Sequence, residues 1–376
     1  MLFKSVIRPA LFRASTHDPE IAHHLVMNGL AFASRYQLLL KMLAVANAYK
    51  APALERTLFD LRFPNPLGLA GGFDKNGLAL PALAALGFGF LEAGTVTRYR
   101  QPGNDRPRIF RLPEDNALIN RMGFPNDGAD AIAERLARRP KPNIPVGWSI
   151  GKSKVTPQEE AVDDYLYSLR KLYDYADFFT INVSSPNTPG LRELQEKEPL
   201  QHLLRSIVQE AEALARQMGR ETARPVLVKI SPDLSKGQLD DMIEVCLACR
   251  IRGIIATNTT LSREGLSEGS EHVTETGGLS GRPLFSGSLA TVRYLCQKLD
   301  GRIPVIGVGG ISSPDDAQRM FDAGASLIQI YTGFIYEGPE IIKRINKMSA
   351  MNRKGITDER YRDHADFCRR GGYSQR

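Results

Sequence analysis

Phe178-Phe179-Thr180-Ile181-Asn182-Val183-Ser184-Ser185-Pro186-Asn187-Thr188-Pro189 turns from a strand into a polar loop within one short stretch. Its first half is aromatic and β-branched, as a buried strand requires, and its second half is a turn held by Pro186 and Pro189. Asn182, Ser184, Ser185, Asn187 and Thr188 crowd amides and hydroxyls together, a composition that suits a polar ligand better than a core. An ordinary Asn/Ser/Pro turn has the same composition, so the surrounding chain has to decide.

Working outward, the same pattern recurs from about residue 54. Short apolar runs end in polar or glycine-rich turns at Leu67 to Ala70, Phe88 to Ala93, Pro145 to Ile150, Phe178 to Val183, Val226 to Ile230, Gly253 to Thr257, Pro304 to Val308 and Ser326 to Tyr331. Amphipathic stretches alternate with them, among them Leu78 to Leu86, Pro157 to Tyr175, Leu200 to Met218, Gly237 to Cys249, Pro314 to Ala323 and Pro339 to Met348. Continuously apolar strands alternating with helices imply a parallel sheet covered on both faces, and eight of them predict an α/β fold, a (β/α)8 TIM barrel. Two connections, Val96 to Asp127 and Thr259 to Ser288, are long enough to cover or complete a site. The expected division is a helical arm over residues 1–50, a barrel over 51–350 and a basic tail over 351–376.

The bulk composition of the 376 residues, 42% hydrophobic and 24% charged, is that of a globular chain and excludes disordered and collagen-like classes. Residues 1–50 carry six Lys/Arg against two acids and residues 341–376 ten against four, so the ends hold more than the whole net charge of +7. A basic nucleic-acid groove through the centre is thereby disfavoured, and no nucleic-acid partner is expected. Asp18 reads as an N-cap with Pro19 at the first helical position, followed by Ile21, Ala22, Leu25, Val26 and Phe32 at helical spacing. Leu38 to Val45 forms a second apolar segment. Flanked by Arg8, Arg13, Arg35 and Lys41, the two suit either an arm lying in an anionic membrane interface or an extra layer packed on the barrel. Phe3 to Phe12 is too short and too interrupted for a secretory signal. Cys246, Cys249, Cys296 and Cys368 fit a reducing compartment, and Cys246 and Cys249 read as core packing rather than a metal or redox pair.

In a barrel the strand C-termini share the functional face. They gather Gly71-Gly72-Phe73-Asp74-Lys75, Thr95, Ser149 with Lys152, the Asn182 to Thr188 cluster, Lys229, Thr257-Asn258-Thr259, Gly309-Gly310 and Tyr331-Thr332-Gly333, with Asn120-Arg121-Met122-Gly123-Phe124 from the first long connection. Histidine is missing from this set and Asp74 is its one acid, so neither a metal site nor a carboxylate pair is expected. The glycines after the last two strands stand where barrels commonly bind phosphate, and Lys75 and Lys229 suit a phosphorylated cofactor whose ring gains negative charge. Gly307-Val308-Gly309-Gly310 does not have the spacing of a dinucleotide fingerprint.

The motifs at residues 71–77, 94–97, 101–108, 120–124, 182–188, 257–260, 277–284 and 307–311 closely resemble dihydroorotate dehydrogenase of the second, membrane-associated, quinone-using class, and the likeness runs from about His17 to the last barrel helix. The resemblance implies oxidation of dihydroorotate to orotate in pyrimidine biosynthesis, with one FMN per chain as hydride acceptor and a membrane quinone as oxidant. It implies that Ser185 removes the C5 proton while C6 delivers hydride to flavin N5, with Thr188 and Phe124 guiding the proton outward. Lys75, Asn120, Arg121, Met122, Gly123, Phe124, Asn187, Asn258 and Thr259 are implied as substrate contacts, Lys75 pairing the carboxylate. Gly71, Gly72, Thr95, Ser149, Asn182, Lys229, Thr257, Gly281, Gly310, Tyr331 and Thr332 are implied as FMN contacts, and His23, Arg111 and Tyr331 as the quinone tunnel. The likeness makes the arm a dock on an anionic membrane surface, and a monomer on the cytoplasmic face of a cell inner membrane is expected of this bacterial-type chain without a targeting peptide. Ser149 stands where the family usually presents Asn, and the tail beyond Met351 is longer than the family leads one to expect.

The soluble class of the same activity uses a cysteine base and lacks the arm; none of the four cysteines lies at a strand end. An RNA-modifying flavin barrel would need a catalytic cysteine and a basic domain after the barrel, where only a short tail follows. A non-catalytic barrel with a lipid-binding arm leaves the strand-end cluster unexplained.

Overall fold

The computed structural model describes residues 3–15 and 18–352, so the tail from 353, Cys368 included, lies outside the described residues. Eight parallel strands close a barrel: β1 Leu67–Leu69, β2 Phe90–Val96, β3 Val146–Ile150, β4 Phe178–Asn182, β5 Val226–Ile230, β6 Gly253–Ala256, β7 Val305–Val308 and β8 Leu327–Ile330, with β8 returning to pair with β1. All eight expected strands are present, and their register aligns Asn182 with Lys229 across β4 and β5. The CxxC segment is core as expected: Cys246 and Cys249 are buried along the helix Lys236–Ala248 and its cap.

Alternation along the strands writes the barrel interior in layers. Phe90, Phe178, Leu227, Ile255 and Leu327 form an apolar bottom layer, closed from below by Phe63 of a short hairpin, Arg56–Leu58 with Leu61–Phe63, that the strand pattern does not foretell. Two residues further along β2, β4, β5 and β8, the inward positions hold Glu92, Thr180, Lys229 and Gln329, all buried. The interior thus turns polar one layer beneath the strand ends.

The two long connections are ordered against each other. Ile109–Leu112, Ala117–Asn120 and Gly278–Gly281 form an antiparallel three-stranded sheet over the barrel mouth.

The arm consists of α1 Arg8–Ala14, α2 Pro19–Ala33 and α3 Gln37–Asn47. Asp18 caps α2 by accepting from the N–H groups of Glu20 and Ile21, as its sequence signature predicts. One face of α2 packs on the barrel, burying Glu20, Ala22 and Met27, while Leu38 and Val45 of α3 remain 70% and 84% exposed. The arm is therefore a packed layer and an exposed apolar surface at once. Glu20 is its anchor, accepting from Arg106 at 2.9 Å and from Arg108 at 2.7 and 3.1 Å. Burial opposes its charge, yet the Arg108 and Arg106 guanidiniums outweigh burial and hold the Glu20 carboxyl below its ordinary value. A depressed carboxyl stabilises the docked arm at pH values above the ordinary carboxylate range and loses that contribution as pH falls through it. Glu20→Gln, which leaves buried Arg108 without its counter-charge, should cost about 3 kcal/mol and speed proteolytic cleavage within the arm at neutral pH. Unchanged cleavage would remove Glu20 as the anchor.

Candidate active site

A cavity of about 520 Å³ opens from the strand ends of the barrel to the underside of the arm. Its inner end carries a bonded polar ring: Asn182 Nδ2 donates to Thr95 Oγ1 at 2.9 Å, Thr95 Oγ1 lies 2.9 Å from Ser149 Oγ, and Asn258 Nδ2 donates to Ser184 Oγ at 2.9 Å. These side chains share one place because β2, β3, β4 and β6 all end there. Ser149 meets its neighbour despite being shorter than an amide side chain.

Ser185 is buried on the same wall, its Oγ accepting from the Asn187 N–H at 3.3 Å. Asn187 Nδ2 in turn donates to Asn120 Oδ1 at 3.3 Å, joining the β4 loop to the three-stranded sheet. Lys75 lines the same cavity, its Nζ donating to Gly72 O at 2.6 Å. Burial above all, aided by the charge of Arg108, pushes its ammonium down to about 8. Tyr331 Oη donates to Gly72 O at 3.4 Å, and burial pushes its phenol up to about 12.

A polar recess of about 230 Å³ adjoins the cavity past β7 and β8, lined by Gly281, Arg282, Gly310, Ser312 and Gly333 among others. At Gly310 φ is +75° and a Cβ would stand 2.5 Å from that of Phe285, so both conformation and space demand glycine there. Closely spaced backbone with Arg282 at its edge is a fit for a phosphate. Next to it the polar ring, buried Lys229, half-buried Lys75 and apolar faces from Phe124 and Met122 fit the planar, polar head of a flavin nucleotide.

The outer end is apolar and belongs largely to the arm, with Phe12, Ala22, Val26, Leu30 and Leu43 lining it. His23 stands at the junction, its ring centroid 5.2 Å from that of Phe73. Burial first, then the nearby Lys75 charge, pushes the imidazole down to about 3, so it is neutral at physiological pH. Arg111 lies over the Phe12 ring at 3.9 Å and lines the same channel.

Most residues singled out by sequence line this cavity; Arg121, Thr188, Lys152, Ser184 and Asp74 do not. Arg121 turns outward to Glu275 at 2.6 Å and across the Phe110 ring at 4.6 Å. Thr188 is buried behind the wall, and its Oγ1 has no hydrogen-bond partner among the described residues. Lys152 folds away to donate to Thr156 O at 2.5 Å. Among the strand-end residues Asp74 remains the one acid and histidine is missing, but the cavity also takes in an acid and a histidine from outside that set. Asp74 serves the fold, accepting from the N–H groups of Leu78 and Ala79, each at 2.8 Å, while Glu92 and His23 line the cavity. Glu92 is legible only by alternation, as an acid in register with Phe90 inside an apolar run; His23 needs the arm's docking to reach the site.

The sequence model of the family "Dihydroorotate dehydrogenase" matches residues 53–350. "Dihydroorotate dehydrogenase (quinone)" of Chloroflexus aurantiacus is 53% identical over 348 residues, 92% of this chain and 96% of that one. The protein of the same name from Salinispora arenicola is 53% identical over 345 residues, covering 91% of this chain and 97% of that one. Among solved structures, the Eimeria tenella DHODH in complex with ferulenol superposes with a TM-score of 0.80 at 35% identity, covering 93% of this chain and 96% of that one. A barrel with this site, matched along nine-tenths of its length by such relatives, leaves one assignment: the chain belongs to the dihydroorotate dehydrogenase family, in its quinone-dependent branch.

Proposed function

We propose that this cavity oxidises dihydroorotate to orotate, a step of pyrimidine synthesis, and passes the electrons to a quinone. The observation that carries the reading is the continuity of one cavity from the Ser185 wall to the arm, which gives substrate and quinone separate ends of a shared space. One FMN per chain would supply the hydride acceptor and electron relay between those ends, held by Gly71, Gly72, Thr95, Ser149, Asn182, Lys229, Thr257, Gly281, Gly310, Tyr331 and Thr332.

Ser185 Oγ takes the C5 proton of dihydroorotate. A hydroxyl is a weak base and must pass its proton on; Thr188, buried with its Oγ1 unpartnered among the described residues, and Phe124, which lines the cavity, would govern that exit. Lys75 holds the substrate carboxylate, and Asn120, Asn187, Asn258 and Thr259 present amides and a hydroxyl to the imide and urea edges of the ring. Met122 and Gly123 complete the cover; Arg121 acts on it from outside, through Glu275. Because the Lys75 ammonium lies near 8, it is charged below that pH and loses its charge above it. KM for dihydroorotate should therefore rise as pH passes 8, and Lys75→Met should raise KM at pH 7 and flatten that rise. A parent KM independent of pH between 7 and 9 would contradict the pairing.

At the outer end His23, Arg111 and Tyr331 flank the quinone path. The arm docks on an anionic membrane through its exposed apolar residues and basic flanks, placing a monomer peripherally on the cytoplasmic face of an inner membrane. Consistent with peripheral attachment, no helix among the described residues is long and apolar enough to cross a membrane. A dihydroorotate-dependent quinone-reduction assay on the purified chain tests the proposal: turnover requiring both compounds is expected, and its absence in flavin-loaded protein would overturn the reading.

A further inference from the structure

At the cavity floor, Glu92 and Lys229 face each other inside the barrel with Oε1 and Nζ 3.6 Å apart, their side chains 0% and 7% exposed. Glu92 Oε2 accepts from Gln329 Nε2 at 2.7 Å, which fixes the carboxylate plane. Its Oε1 and the Gln329 Oε1 have no hydrogen-bond partner among the described residues, and both residues line the cavity. A Cβ on Gly71 would sit 2.5 Å from Glu92 Oε1, so a glycine is needed for the carboxylate to reach this position. A buried carboxylate is costly unless its charge is answered, and Lys229 is the cation that answers it.

We propose that Glu92 sets the redox potential of the flavin site by cancelling part of the Lys229 charge. The inference rests on the flavin reading of the cavity. A ring that takes up two electrons and becomes more negative is favoured in its reduced form by an ammonium in a low-dielectric floor. A carboxylate 3.6 Å from that ammonium removes part of the bias and keeps the reduced ring willing to pass its electrons to quinone. Glu92 acts through Lys229 and is a positioning residue for charge; Gln329 holds it in place.

The test is a reductive titration of the flavin-loaded chain against dyes of known potential. Glu92→Gln keeps the shape and removes the charge; it should shift the ratio of reduced to oxidised flavin at a fixed potential at least tenfold toward the reduced form, about 30 mV for a two-electron couple. The same variant should bleach as readily with dihydroorotate and reoxidise more slowly with quinone. A shift smaller than tenfold, or one toward the oxidised form, overturns the inference. Should Glu92→Gln fail to retain flavin, Glu92→Asp, which keeps the charge, carries the test: a shift below tenfold is expected, and a larger one would show that packing rather than charge sets the potential. Protein that never binds flavin would instead sink the functional reading, an outcome visible in the parent spectrum before any variant is made.

Discussion

Ser185→Ala slows the bleaching of bound flavin by dihydroorotate by about 10²–10⁴-fold, the usual contribution of a positioned proton acceptor. The expectation follows from geometry. Ser185 is buried, its Oγ receives only the Asn187 N–H at 3.3 Å among the described residues, and the residue lines the cavity with Asn182 and with the bonded pair Asn187 and Asn120. Removing one oxygen leaves that bridge, Lys75 and the asparagine contacts in place, so dihydroorotate affinity should stay close to the parent value. The split distinguishes proton removal from binding: a variant that bleaches at the parent rate removes Ser185 from its role, and one that loses affinity in step with rate makes it a binding residue.

Deleting residues 1–50 should abolish quinone reduction and membrane attachment while dihydroorotate still bleaches the flavin. The arm supplies Phe12, Ala22, His23, Val26, Leu30 and Leu43 to the outer cavity, whereas the polar ring, Ser185 and Lys75 belong to the barrel and its loops. The barrel is closed by its own strands and needs no arm residue for its ladder. Arg108 loses Glu20 but keeps the Pro102 and Asn104 carbonyls as acceptors, each at 2.7 Å, which limits the damage. Equal loss of bleaching, quinone reduction and attachment would make the arm a structural part of the barrel.

The barrel was legible because strands buried on both faces read as unbroken apolar runs, and Phe178–Asn182 ends one residue from where its sequence pattern does. The three-stranded sheet over the mouth was not, since its pairing joins Asn120 to Gly278 across 158 residues and Gly278–Gly281 contains two glycines and no alternation. Among the strand-end lysines position decides the role: Lys229 lies within β5 at an inward site, while Lys152 lies past the end of β3 and folds away. Glu92 was hidden by its neighbours, because an acid inside an apolar strand shows its direction only once the register of the barrel is known. Of the two readings of the arm, the packed layer is seen where α2 buries Glu20, Ala22 and Met27, while exposed Leu38 and Val45 of α3 leave membrane docking to the deletion experiment.

The central claim is that one cavity couples dihydroorotate to quinone through a bound flavin, and a single anaerobic spectrum tests it. Protein purified in detergent should be yellow, lose that colour on addition of dihydroorotate and regain it on addition of a quinone. Colourless protein, or a yellow band untouched by dihydroorotate, would contradict the account.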